Sequence, residues 1–164
     1  MKEPEARSRA YDLMNIALKA LGITDDSALR PYSAGCVEDA DLNKERHGYI
    51  SVGYDLTLSY TSSGKASDAA HKVHDAWVAA GHISTGTWTW GSPDAPDPML
   101  SARSVPDGFL MGADVNTQTK LRVGVSSPCF QGPETAKPAA SPSAADAKSA
   151  RKDGDSNRIR DILG

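Results

Sequence analysis

The sequence predicts an α+β fold, a two-layer sandwich in which two helices pack on one face of a mainly antiparallel sheet of four to five strands. Three observations predict it: two amphipathic helical segments at 5–21 and 66–80, a long alternating strand between them at 49–60, and a series of short strands after the second helix. This order is typical of helices that lie together on one side of an antiparallel sheet.

The two helical segments have clear ends and one apolar stripe each. Pro4 suits the first turn of the first segment, Gly22 ends it, and Gly81 ends the second. The apolar residues at helical spacing are Ala6, Ala10, Leu13, Ala17, Ala20 and Leu21 in the first segment and Ala66, Ala69, Ala70, Val73, Ala76, Trp77 and Ala80 in the second. Each helix is therefore expected to bury one face.

The strands are predicted from the alternation of apolar and polar residues. Residues 49–60 alternate between apolar and polar, which indicates a strand with one buried and one solvated face. The shorter strands are predicted at 84–90, 100–105, 109–115 and 119–126. Residues 22–48 carry Gly, Pro and charges without a period, so we expect a long irregular connection there.

The composition changes at residue 133. Residues 1–132 are predicted to form a single α+β domain, whereas Ala, Pro, Ser and Lys dominate 133–164, which predicts a disordered tail. Ile159, Ile162 and Leu163 could add a short terminal helix, but a frayed chain end is the favoured interpretation.

Charge and hydropathy exclude two classes of partner. The 164 residues carry a net charge of −3 with acids and bases interleaved, so no basic stripe is available for nucleic acid. No apolar run is long enough for a transmembrane segment. Residues 1–4 lack the apolar core of a signal peptide, so we expect any export signal to lie upstream of this sequence.

Two cysteines, Cys36 and Cys129, lie far apart beside turn-forming residues. This separation excludes the paired clusters that common metal sites need. A disulfide is the favoured interpretation because it would tie the segment after the first helix to the end of the last strand; two unlinked thiols in a cytoplasmic protein are the alternative. The disulfide predicts an extracytoplasmic location, at the cell envelope or secreted.

Two histidines, His71 and His74, have the spacing by which one helix can present two imidazoles to a metal. The further ligands that the sequence offers are His82 and Asp75. The periodicity places His71 and His74 away from the apolar stripe, so a solvated helix face is favoured and no metal site is predicted.

Trp88 and Trp90 fall on the same face of one predicted strand. They either pack in the core, which is the favoured interpretation, or form an aromatic platform for a sugar or a peptide. A Pro- and Asp-rich loop predicted at 91–98 would lie beside them, and we take Trp88, Trp90, Asp94 and Asp97 as candidate binding residues.

No local catalytic motif is found in the sequence: it has no GxSxG elbow, no phosphate loop and no dinucleotide turn. Catalysis would need residues that the fold alone brings together. We therefore predict no catalytic residues and no cofactor.

A resemblance is carried by Gly35-Cys36, by the Ala-rich helix that ends at Ala79-Ala80-Gly81, and by the closing strand Val123-Gly124-Val125-Ser126-Ser127-Pro128-Cys129. Over residues 5–130 the layout resembles small exported actinobacterial lipoproteins of unknown function. The sequence differs from them in lacking the signal and the lipid-bearing cysteine and in its long tail. The resemblance implies a binding module rather than a known reaction.

Three functional hypotheses follow. The first is a non-enzymatic binding or interaction domain of the bacterial cell envelope, a monomer whose partner is an unknown protein or a cell-wall ligand. The second is an inhibitor or immunity-like protein that blocks a partner enzyme. The third is a small hydrolase or metal-dependent enzyme that uses His71, His74 and His82.

Overall fold

The computed structural model describes residues 1–92 and 95–133, with the backbone alone at 90–92 and 95–97. The two helices of this part of the chain are α1 (Glu3–Ala20) and α2 (Ser63–Ala79). Its seven strands are β1 (Arg30–Glu38), β2 (Asp41–Ser59), β3 (Ile83–Ser92), β4 (Ala95–Arg103), β5 (Leu110–Asn116), β6 (Lys120–Ser126) and β7 (Phe130–Gln131).

The strands form one sheet in the order β1-β2-β6-β5-β4-β3, and β7 pairs with β2 beyond the end of β6. Every described pair is antiparallel. The α+β class and the packing of two helices against an antiparallel sheet are confirmed. The predicted number of four to five strands is wrong, because β1 and β7 were not expected and bring the described sheet to seven.

Both helices end in the same way, on a glycine with positive φ. In α1, Gly22 has φ 69° and the N–H of Ile23 donates to the carbonyl of Leu18 at 2.9 Å. In α2, Gly81 has φ 96° and the N–H of His82 donates to the carbonyl of Trp77 at 3.1 Å. This backbone closure satisfies carbonyls that the helix leaves free, and a left-handed residue at that point favours glycine.

The core lies between the helices and one face of the sheet. The indole N–H of Trp77 donates to the carbonyl of Leu13 at 3.0 Å, which joins α2 to α1 inside the core. Truncation of a fully buried tryptophan costs about 3–5 kcal/mol. The fully buried large side chains are Trp77, Phe109, Leu13, Met14, Leu56, Met111, Leu121, Val52, Val73, Val123 and Val125.

The end of β1, the turn at 39–40 and the start of β2 form a projecting hairpin, residues 36–48, which we call the hairpin arm. Here β2 extends beyond its pairing with β6 and β7, and most of the arm is exposed, with Leu42 75% exposed. Lys44 Nζ lies 3.0 Å from Glu38 Oε1 across the arm. The prediction of an irregular connection over 22–48 is therefore wrong for residues 30–48, which form an antiparallel hairpin.

Cys36 and Cys129 form a disulfide, with an S–S distance of 2.10 Å and Cα atoms 6.2 Å apart. The bond links β1 to the segment between β6 and β7, so it connects the two neighbours of β2. Cys36 is buried and Cys129 is exposed. The predicted disulfide is confirmed, and the alternative of two unlinked thiols is wrong.

The described residues up to Gly132 form one compact unit. The predicted tail lies outside the described residues except for Pro133, and so does its short terminal helix. The division into a domain and a tail stays a prediction.

Candidate functional site

The sheet has one face covered by the helices and one that no described residue layer covers. On β5 and β6 the residues turned toward the helices are buried: Met111, Ala113, Val115, Leu121, Val123 and Val125. The residues between them are partly or fully exposed and are small or polar, as at Gly112, Asp114, Arg122 and Gly124. We call this second side the open face.

The strand register aligns five small or acidic residues across the open face. Asp55 pairs with Gly124, Gly124 with Gly112, Gly112 with Ser101, and Ser101 with Gly86. Because three of the five have no side chain, the row is low, and it forms the floor of a groove across the strands. The groove has a volume of about 390 Å³, and we call it the open-face groove.

One wall of the groove is the neighbouring row, in which Arg122 pairs with Asp114, Asp114 with Met99, and Met99 with Trp88. The register places Tyr32, Gly53, Ser126 and Leu110 in the opposite wall. Those two walls stand on either side of the glycine floor, so the groove combines charged, hydroxyl and aromatic groups on one surface.

Trp88 lies over Gly86 on β3, where it continues the row of Asp114 and Met99 beyond the residues that line the 390 Å³ cavity. A Cβ placed at Gly86 would stand 2.4 Å from Cη2 of the indole and 2.8 Å from both neighbouring ring atoms. Such similar distances to three bonded atoms mean that the ring meets Gly86 with its face and not its edge. One face of the indole therefore packs on the backbone, and the side chain as a whole is 57% exposed.

Tyr32 lies over Gly53 at one end of the groove. A Cβ at Gly53 would stand 2.7 Å from the phenol oxygen and 2.8 Å from Cζ, so the end of the ring lies across this glycine. The Tyr32 hydroxyl donates to the carbonyl of Val125 at 3.3 Å, which orients the ring on the sheet. Each aromatic ring thus packs over a glycine, Trp88 over Gly86 of its own strand and Tyr32 over Gly53 of the neighbouring strand.

The charged groups of the groove are arranged around Arg122. One guanidinium nitrogen of Arg122 lies 3.2 Å and 3.3 Å from the two carboxylate oxygens of Asp55. Asp114 lies opposite Arg122 on β5, where burial raises the pKa of its carboxyl although the positive charge of Arg122 and a backbone hydrogen bond from Leu100 oppose that shift. Asp55 and Asp114 therefore occupy different electrostatic environments on the same surface.

The structure places the four predicted binding residues differently. Trp88 is exposed on the open face, so the favoured interpretation of core packing is wrong for it. Trp90 and Asp97 pair across β3 and β4, but their side chains lie outside the described part, as does the whole of Asp94. The loop predicted over 91–98 is wrong at 91–92 and 95–98, which continue β3 and β4.

The histidines make three separate contacts. His71 is exposed and bonds the carbonyl of Ser67 at 2.9 Å, whereas His82 Nδ1 accepts the N–H of Val105 at 3.3 Å. His74 is only 7% exposed, so its assignment to a solvated helix face is wrong. The described residues contain no group of three side chains able to hold a metal ion.

The environment of His74 was not foreseen from the sequence. Its Nε2 lies 3.0 Å from Ser84 Oγ, and its Nδ1 lies 3.6 Å from Asp75 Oδ1. The order of hydroxyl, imidazole and carboxylate is that of nucleophilic catalysis. However, the Asp75 contact exceeds hydrogen-bonding distance and its side chain is 78% exposed, so this carboxylate does not hold the imidazole in place.

Sequence reasoning identified Trp88 but missed Tyr32, Arg122, Asp114 and the glycine floor.

Within the described ranges, no helix is both long enough and apolar enough to cross a membrane. The resemblance to exported lipoproteins stays a prediction, because the comparisons do not bear on it. Compared with known proteins, the chain matches no family model, no curated protein and no solved structure.

Proposed function

We propose that this protein is a non-enzymatic binding domain of the bacterial cell envelope and that the open-face groove is its binding surface. The observation that carries the proposal is the groove itself, on a sheet face that no described element covers, with the Arg122–Asp55 ion pair on β6 and β2 and an exposed tryptophan three strands from Arg122, on β3. Aromatic and arginine side chains dominate binding energy at protein surfaces. The helices leave this face free while they complete the core on the other side.

The disulfide supports the envelope location. Structural disulfides form and persist in oxidising compartments and are rare in the bacterial cytosol. The Cys36–Cys129 bond links the edge strand β1 to the segment between β6 and β7 in the sheet that carries the groove. A binding surface stabilised in this way suits a protein that works outside the cytoplasm.

The test is co-sedimentation with insoluble cell envelopes, wall and membrane together, from an actinobacterium. We expect the wild type to sediment and the double variant Trp88→Ala, Arg122→Ala to bind about tenfold more weakly, since it loses one aromatic and one charged contact. The matched control is Val78→Ala, Lys19→Ala, which alters exposed residues of the helix layer. A wild type that stays in the supernatant, or a groove variant that binds like the control, would refute the proposal.

A second candidate function, a small hydrolase, is favoured by the Ser84–His74 contact at 3.0 Å. In this alternative His74 is the base and Ser84 the nucleophile. The test is hydrolysis of p-nitrophenyl acetate by wild type and by Ser84→Ala, with Ser59→Ala on β2 as the control. Equal rates for all three proteins would remove the hydrolase hypothesis and leave the binding proposal intact.

The inhibitor hypothesis depends on a different surface. Leu42 at 75% exposure and Val37 at 44% exposure give the otherwise polar and charged hairpin arm two exposed apolar side chains. If the arm and not the groove makes the contact, Leu42→Asp will abolish envelope retention and the groove variant will not.

A further inference from the structure

We propose that the open-face groove binds a glycan strand of the cell wall, a β-1,4-linked chain of amino sugars that lies across the strands between Tyr32 and Trp88. This inference rests on the proposed function and names the ligand class of the same site. Three properties of the groove carry it: its direction, its aromatic ends and its balance of polar groups.

The direction of the groove favours a long, thin ligand. The floor crosses β2, β6, β5, β4 and β3, and Tyr32 stands one strand further out on β1. Because the Tyr32 ring lies over Gly53 on β2, four inter-strand steps of about 4.8 Å place the two aromatic rings about 19 Å apart along the sheet. A peptide that adds a strand needs a free sheet edge. The floor strands β2, β6, β5 and β4 are paired on both sides, and an added strand at the edge strand β3 would lie beside the floor and not on it. A chain laid over the face fits the floor, whereas strand addition does not.

The aromatic ends suit the C–H faces of sugar rings. Trp88 packs one indole face on Gly86, and more than half of the side chain is exposed. Tyr32 is fixed over Gly53 by its hydrogen bond to Val125. A rigid aromatic surface can take an apolar ring face at little entropic cost, while the hydroxyls at the rim of the sugar stay free for hydrogen bonds. Two such platforms at separate ends fit a chain of several sugars better than a single one.

The polar groups favour a neutral ligand rich in hydroxyls and amides. Asp55 and Asp114 would repel an anion, and Arg122 would repel a cation, so no single charge is favoured along the whole groove. The same carboxylates accept hydrogen bonds from hydroxyls and acetamido N–H groups, and the guanidinium donates to sugar oxygens. Ser101 and Ser126 add hydroxyls that can do both. An apolar ligand would offer none of these groups a hydrogen bond.

Gly112 offers a variant that tests the floor without disturbing the fold. A Cβ at this position would stand 3.6 Å from its nearest heavy atom, Asp114 Oδ2, which is ordinary van der Waals contact. The Cβ that Gly112→Val adds therefore fits the strand, and its γ methyl groups would raise the floor of the groove. Gly64 at the start of α2 has open space around it, so Gly64→Ala is the matched control.

The experiment is an NMR titration of the full chain with short, peptide-free glycan strands prepared from peptidoglycan by amidase digestion. We expect saturable shifts at the Trp88 indole N–H and at the amides of Gly112 and Gly124. Gly112→Val and Trp88→Ala should each weaken binding about tenfold, Trp88→Phe should recover part of the loss, and Gly64→Ala should bind like the wild type. Thermal melts of every variant show whether a loss of binding comes from loss of fold.

The outcomes separate this inference from the proposed function. If envelopes retain the wild type through the groove but glycan strands cause no shift, the glycan assignment is overturned and the binding domain stands. The same holds if stem peptides or phosphatidylglycerol vesicles shift the NMR signals of groove residues and glycan strands do not. If neither envelopes nor glycan strands bind, both proposals fall. Shifts confined to residues outside the groove, or full binding by Gly112→Val, would also overturn the glycan assignment.

Discussion

Asp107 joins the turn between β4 and β5 to helix α1. Ser104 Oγ donates to its carboxylate, and Arg9 Nε lies 2.6 Å from its Oδ2. The Ser104 oxygen also accepts the N–H of Phe109 at 2.8 Å. Burial alone would raise the pKa of Asp107, but the hydrogen bonds from Ser104 and Arg9 and the charge of Arg9 outweigh it and hold that pKa below its usual value.

Asp107→Asn keeps the size of the side chain and removes its charge, so we expect the free energy of unfolding at neutral pH to fall by about 1–2 kcal/mol. Because folding lowers the pKa of Asp107 from 3.8, the stabilisation is present above that pH and is lost as the pH falls through the folded pKa. Urea denaturation at about pH 7 and about pH 2.5 measures the difference. An equal difference between wild type and variant at both pH values would contradict this.

Asp114 has the opposite electrostatic effect, because burial in the wall of the groove raises its pKa from 3.8. Its contribution to stability is fully present below pH 3.8 and is lost as the pH rises through the folded pKa. Asp114→Asn is uncharged at every pH, so its Tm should exceed that of the wild type at neutral pH and equal it at about pH 3. Calorimetry with Asp12→Asn, on the exposed side of α1, as control measures this; a lower Tm for Asp114→Asn at neutral pH would refute it.

Among the elements, those that bury one face were predictable and those that bury none were not. Helix α1 was predicted at 5–21 and spans Glu3–Ala20, because burial of one stripe imposes the helical period on its sequence. In β1, by contrast, Cys36 alone is buried, and Asp41–Gly48 of β2 is exposed throughout. Alternation arises only where one face of a strand is buried, so the hairpin arm leaves no pattern to read.

The sequence predicts the part of the candidate site that lies within one strand, but not the alignment of residues on different strands. The two tryptophans of β3 indicated Trp88 as a candidate, but the groove also needs Gly124, Gly112 and Ser101 in one row on three other strands. Which residues align depends on register, including an irregularity in the β3–β4 pairing between Ser84 and Gly86. Register is set by strand packing and turn geometry, and a shift of one residue would turn every side chain to the other face.

The disulfide is expected to hold the first two strands to the rest of the sheet. Its half-cystines are 93 residues apart. In the chain-entropy account, a cross-link that closes a loop of about that length stabilises the folded state by up to about 4.7 kcal/mol. The double variant Cys36→Ser, Cys129→Ser should therefore unfold at a lower urea concentration, and amides of the arm should exchange faster. Reductant should shift the wild type to the same midpoint and leave the variant unchanged. A variant as stable as the oxidised wild type would show that the bond is dispensable.

At the scale of the whole molecule, the two sides of the sheet have different roles. The helices and the inward residues of the strands supply the core, so the outward residues of β4, β5 and β6 are free to be glycine, serine or charged without loss of core packing. Substitutions in the open-face groove should thus affect binding more than folding. This separation is what makes Gly112→Val and Trp88→Ala informative.

Stability of the molecule should depend only on residues up to Gly132. In the described part of the chain, the hydrophobic core runs from Ala6 to Phe130, and the N–H of Gly132 donates to the carbonyl of Gly48 at 2.8 Å. A chain that ends at Pro133 should keep its free energy of unfolding within about 0.5 kcal/mol of the full chain. A chain that ends at Cys129 keeps the disulfide but loses buried Phe130, and it should be less stable by about 3 kcal/mol. Urea denaturation of the three proteins measures both differences; a loss of several kcal/mol on removal of residues 134–164 alone would show that the domain extends into them.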